Sequence, residues 1–327
     1  MNLFGYNEDD NKNNTIELNL YCDEIKESEI NDNNSGKEKW AYIGILIVPT
    51  HLEKELLNNL LKYRCRDLNS DISWKKCKDD CKFHTKNDLE VHYQGLNSKN
   101  EYFIADRWLD FFLNDTTQTY FYIFGIDLLN LDYSTFGESK GNDKFNTIYN
   151  RLFRTAIKKS IKTYFSKYKS IIVKNIFHDN SDLENHKYFP WHCIYKLDKD
   201  DEKLFFSCDK IDFIDSDHNK SKNLRSNLIQ YIDLLLGLSF NALHFSSRDD
   251  NKVKLTERYL PVLERIMKEP RNINSRYKHY NRLGIDFFPK HKISNLSEAE
   301  KEFVKYDSFY KEREIRIYRK NQKTLFD

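Results

Sequence analysis

The chain has 327 residues, 39% hydrophobic and 32% charged, with 23 Phe and 21 Tyr, so it can bury a sizeable core and reads as a soluble globular protein. Its most apolar run, "AYIGILIVP", falls far short of the roughly 20 residues of a membrane helix, and "MNLFGYNEDDNKNNTIE" turns acidic and polar at once, unlike a secretory leader. The net charge is only +2, yet residues 251–327 hold 19 Lys+Arg against 11 Asp+Glu, so an acidic body precedes a basic tail.

In chain order, residues 1–14 are polar, without apolar period, and are expected to be disordered. "TIELNLYCDE" alternates, with Ile16, Leu18, Leu20 and Cys22 on one face, and predicts a strand. After a turn at "NDNNSGKEK", "WAYIGILIV" predicts a strand buried on both faces and closed by Pro49. A helix is predicted from near Thr50, and "NSDISWKKCKDDCKFHTKND" is irregular. "EYFIADRWLDFFL" predicts a helix, "TYFYIFGIDLL" a buried strand, and residues 143–168 a long helix. "SIIVKNIFHDN" is a strand ending at a polar tip, and "KLFFSCDKIDFIDS" supplies one or two more.

These elements predict an α/β fold, a mixed β-sheet flanked by helices over residues 15–250. Residues 251–327 read as a basic, mainly helical extension, with Ser297 capping its last apolar-periodic run. The six Cys lack paired spacing, which fits a reducing cytoplasm.

Chemistry enters with "LRSNLIQYIDLLLGLSFNALHF", a helix apolar nearly all round and therefore buried. Ser226, Gln230, Asp233, Gly237, Asn241 and His244 fall at steps of three and four and share one face. Neighbouring polar or basic groups can satisfy such a seam; it can also line a wet cleft, or face a metal ion. Asp23 and Glu24 end the first strand, and Asp179 stands at the tip of "IIVKNIFHD". Groups at the carboxyl ends of strands point into the usual ligand crevice of α/β sheets. Carboxylate oxygens in such a crevice suit magnesium or manganese, and a pair of such ions supports phosphodiester hydrolysis. Adjacent strand residues face opposite ways, so Asp23 and Glu24 can share one site only if the strand has ended at Glu24.

"LYCDE", "NIFHD" and "IDFIDS…LIQYIDLLLG", in that order, resemble the signature of a bacterial domain of unknown function, the family numbered three thousand eight hundred. That family is regarded as RNase H-like. The match spans roughly residues 15 to 245. The resemblance implies an RNase H-like mixed sheet and a nuclease with magnesium or manganese held by Asp23, Glu24, Asp179 and Asp233. Gln230, Ser216 and Asp71 would be supporting groups. In "DISWKK" Asp71 stands where Glu is commoner and Ser73 where Lys is expected, and Ile25-Lys26 replaces the usual Ser-Gly after Asp-Glu. The resemblance also implies a nucleic-acid partner, DNA or RNA, and a role in phage defence or a mobile element. The rival expectation is a catalytically silent RNase H-like module that binds nucleic acid or a partner protein of a defence or toxin system.

Other signals weigh less. Cys65, Cys77, Cys81 and His84 are spaced unlike a Cys-x-x-Cys knuckle, which disfavours zinc. "HKYFPWHC" reads as an aromatic loop around His186, His192 and Cys193. Lys158, Lys159, Lys162 and Lys167 form the polar side of the long helix. Tyr277, Tyr280, Phe287, Phe288 and Tyr318 lie among the basic residues of the tail, where base stacking competes with core packing. No phosphate-cradling Gly loop and no Gly-x-Ser-x-Gly occurs, which argues against a P-loop enzyme or a serine hydrolase.

Overall fold

A computed structural model describes residues 14–32, 36–65, 89–114, 120–131, 133, 142–186, 189–199, 201–268 and 278–289. The expectations for residues 1–13, Asp71, Cys77, Cys81, His84, Tyr277, the helix after Ser297 and Tyr318 lie outside the described residues.

The chain opens with a long hairpin of β1 (Thr15–Asp32) and β2 (Gly36–Pro49), followed by α1 (Glu53–Arg64) and α2 (Lys99–Asn114). Next come β3 (Tyr120–Asp127), α3 (Asn142–Phe165), β4 (Ser170–Asp179), the single turn α4 (Phe189–His192), β5 (Leu204–Phe206) and β6 (Asp212–Ile214). The short α5 (His218–Ser221), then α6 (Ser226–His244), α7 (Asp250–Lys268) and β7 (Leu283–Phe288) complete it. The seven strands form one mixed sheet in the order β5-β4-β1-β2-β3-β7, with β6 pairing β4 beyond β5. β1, β2 and β3 are antiparallel neighbours, whereas β4 runs parallel to β1 and β7 parallel to β3.

Strict alternation along the strands divides the core in two. Tyr21, Trp40, Tyr42, Leu46, Phe121 and Ile123 pack under α1, α2, α6 and α7. Leu18, Leu20, Cys22, Ile43, Ile45 and Phe124 pack under α3. Helices on both faces explain why "WAYIGILIV" is apolar throughout, every residue of it buried.

Two expectations change. β1 does not end at Glu24 but pairs with β2 as far as Asp32, with a register irregularity between Ile25 and Ser28, so residues 31, 32 and 36–39 of "NDNNSGKEK" are strand. In the tail, residues 250–268 are helical, but "LGIDFF" forms β7 against β3. Phe287 and Phe288 are buried there, 1% and 2% exposed, and cannot stack on bases. A short apolar segment beside an unpaired strand edge is better satisfied as a strand than as helix.

Candidate functional site

The parallel pairing of β1 with β4 builds the site. Tyr21 pairs with Phe177 and Cys22 with His178, where this ladder ends. Tyr21 and Phe177 belong to the core beneath α6, and Cys22 to the core beneath α3. By alternation Asp23 and Asp179, one residue further along each strand, both emerge on the α6 side. They stand at the carboxyl end of the parallel pair, where α/β sheets keep their ligand crevice. Asp233 comes from α6 itself. Asp23, Glu24, Asp179 and Asp233 all border one cleft of about 890 Å³.

Glu24 takes the opposite face because β1 continues. Its Oε2 lies 3.3 Å from His178 Nε2. His178 Nδ1 lies 2.8 Å from the Asp179 carbonyl oxygen and so donates to it, while Nε2 lies 3.0 Å from Tyr149 Oη. Glu24 Oε2 is buried without a hydrogen-bond partner among the described residues.

The other three carboxyls resist ionisation. Burial pushes Asp23 well above the usual carboxylate range, and the charges of Asp233, Glu24 and Asp179 add to it. Asp179 is pushed up to about 7, chiefly by burial, despite the backbone N–H of Asn180, which donates to its Oδ1 at 2.8 Å. Asp233 is also raised by burial, against the pull of His92 and the Tyr93 N–H, which donates to its Oδ2 at 2.5 Å. His92 Nδ1 lies 3.2 Å from the Gln94 N–H, and its Nε2 lies 3.7 Å from Asp233 Oδ1. Among the described residues, none of the four carboxylates is ion-paired to Arg or Lys.

The chemistry of the three aspartates suits a hard divalent cation: every donor is oxygen, and a cation would favour the ionised forms. Their spacing is looser. Among the described residues, no three His, Cys, Asp or Glu side chains form a group that could already hold an ion.

The rest of the α6 seam is satisfied by neighbours. Gln230 accepts from Arg64 Nη1 at 3.0 Å and from the Val91 N–H at 3.1 Å, and donates to the Ser216 carbonyl at 2.7 Å. It is a cross-link one turn before Asp233 and does not line the cleft. Ser216 Oγ donates to Glu90 Oε1 at 2.6 Å. Asn241 donates to Thr256 Oγ1 at 2.8 Å and accepts from the Ser247 N–H, while His244 Nε2 meets Tyr42 Oη at 2.6 Å. Gly237 has a different purpose: a Cβ there would overlap the Tyr93 ring, so only glycine lets the 89–95 segment lie on α6 and present the Tyr93 N–H to Asp233.

His92, Tyr93 and Lys252 complete the cleft and escaped sequence reading. "VHYQG" has no period, and Lys252 looks like any solvated helix lysine. Gly237 on a buried polar face was the one pointer to a close approach. The remaining signals go elsewhere. His192 accepts from Asn150 Nδ2 at 2.8 Å, and Cys193 is buried in the α3-side core. Lys159 and Lys162 pair with Asp286 and Asp201, each at 2.9 Å. Among the described residues, no helix is long and apolar enough to cross a membrane. No protein-family model matches the chain, and no curated protein matches it significantly.

Proposed function

We propose that the protein is a divalent-metal-dependent nuclease of RNase H-like type, hydrolysing phosphodiester bonds in DNA or RNA. One observation carries this reading: three acidic side chains far apart in the chain, Asp23, Asp179 and Asp233, border one cleft with no Arg or Lys paired to them among the described residues. Three mutually repelling carboxylates, Asp23 buried and Asp179 and Asp233 half-buried, weaken a fold, and a cation would offset that cost. The mixed sheet agrees with the resemblance carried by "LYCDE", "NIFHD" and the Gln230-to-Asp233 helix.

Asp23, Asp179 and Asp233 would hold magnesium or manganese, whereas Glu24, turned to the opposite face of a strand that continues past it, is not among the ligands. When bound, such ions activate water and stabilise the departing oxygen of a phosphodiester. Because such ions keep several waters, carboxylates that share a cleft without forming a closed shell can still hold them. Gln230 keeps α6 in register with the Val91 and Ser216 segments, so that Asp233 faces the strand ends.

The test is to incubate the protein with single- and double-stranded DNA and RNA plus manganese, beside Asp233→Asn. Cleavage should fall more than about a hundredfold in the variant; equal cleavage would overturn the assignment. The absence, among the described residues, of three acidic groups already set for an ion favours a second reading, a silent RNase H-like module that binds nucleic acid or a defence-system protein. It predicts binding that survives loss of Asp23 and Asp233, and no rise in Tm with manganese.

A further inference from the structure

The cleft is acidic, yet it holds an ammonium that neutralises none of the acids. Lys252, in the first turn of α7, borders the same cleft as Asp23, Asp179 and Asp233. Among the described residues its Nζ pairs with no carboxylate. It donates to the Gln94 carbonyl at 3.1 Å and stands 5.1 Å from the centre of the Tyr93 ring. Both partners are neutral. An ammonium has three protons to donate, so two remain for a ligand. Its charge still reaches Asp233, whose carboxyl it helps to hold down against burial.

The support beneath it is rigid. Tyr93 lies on Gly237 of α6, where any Cβ would overlap its ring, and the Tyr93 N–H is fixed on Asp233 at 2.5 Å. The backbone of Lys252 is fixed too, its N–H donating to Asp249 Oδ1 at 3.1 Å. The same aromatic residue therefore orients Asp233 on one side and carries the lysine on the other. Lys26, which also lines the cleft, sits 3.7 Å from Asp182, an exposed pair that holds neither group firmly. Of the two rim lysines, Lys252 is the one given a fixed position.

We infer that Lys252 binds a phosphate of the substrate backbone at the α7 rim, acting as a positioning residue beside the carboxylate cluster. This rests on the nuclease reading and names the group that draws a polyanion into a cleft of like charge. Phosphate affinity without base contact implies little sequence preference and strong salt dependence.

The experiment is fluorescence anisotropy of the full chain with a labelled oligonucleotide, calcium replacing manganese, over a series of salt concentrations. Wild type is compared with Lys252→Ala, Lys252→Arg and Lys254→Ala, the last an exposed lysine on the same helix. Lys252→Ala should raise Kd about tenfold and lower the slope of log Kd against log salt by about one, Lys252→Arg should restore most of both, and Lys254→Ala should change neither comparably. Binding by wild type with the same slope in Lys252→Ala overturns the inference and leaves the nuclease reading standing. No binding by any form overturns both. Equal loss in the Lys252→Ala and Lys254→Ala variants would reduce Lys252 to general charge and overturn its assigned position.

Discussion

Asp23 and Asp179 show how one residue's place in a ladder becomes chemistry. Each follows a buried position at the end of the β1–β4 pairing, so each leaves bulk water while facing a cleft. Asp179 in the folded protein titrates near 7, against about 3.9 in an unfolded chain. Between those values the folded state binds more protons, so metal-free stability falls as pH rises from about 4 to about 7. The metal-free protein is therefore expected to melt lower at pH 8 than at pH 5, and Asp179→Asn should flatten that dependence. Asp23→Asn should raise the metal-free Tm by several degrees at pH 8 while removing manganese-dependent cleavage, since it relieves repulsion where function requires it. Thermal melts across pH without metal check both; a melting point independent of pH would mean that these carboxyls are not destabilised.

At the scale of elements, α6 is the organiser. Its length, its apolar girth and the face shared by Gln230, Asp233 and Gly237 were legible from spacing alone. The partners of that face were not. Gln230 meets Arg64 from α1 and the Val91 and Ser216 backbones, contacts 166, 139 and 14 positions apart in the chain. Periodicity is a local property and cannot report such pairings. Gln230→Leu would leave the Arg64 guanidinium, the Val91 N–H and the Ser216 carbonyl each short of a partner. It should cost about 2–4 kcal/mol in urea unfolding and weaken cleavage by loosening the 89–93 segment. An unfolding midpoint equal to wild type would show that water replaces the amide without cost. The end of β1 is hidden from composition for a related reason: "IKESEI" is mostly polar, but pairing with β2 carries the strand through it.

For the whole molecule, the sheet is completed from the chain's far end. Phe287 of β7 packs edge-on against Trp40 and Tyr42, with centroids 5.9 and 6.1 Å away, and Gly125 leaves room for its ring. Truncation after Lys268 should expose the β3 edge and these aromatics and yield aggregated or poorly folded protein, judged by size-exclusion chromatography and circular dichroism. A monomeric, cooperatively folding truncation would show β7 to be dispensable.

Hydrophobic spacing determined by itself that this chain forms long buried strands and a helix buried nearly all round that carries an acid, because helical and strand periods are written residue by residue. Which face of the sheet receives each acid, that Glu24 parts from Asp23, that Tyr93 rests on Gly237 and that Lys252 pairs with no carboxylate among the described residues were decided by tertiary structure alone. Those outcomes depend on register and on contacts between distant segments, which exist only once the chain has closed on itself.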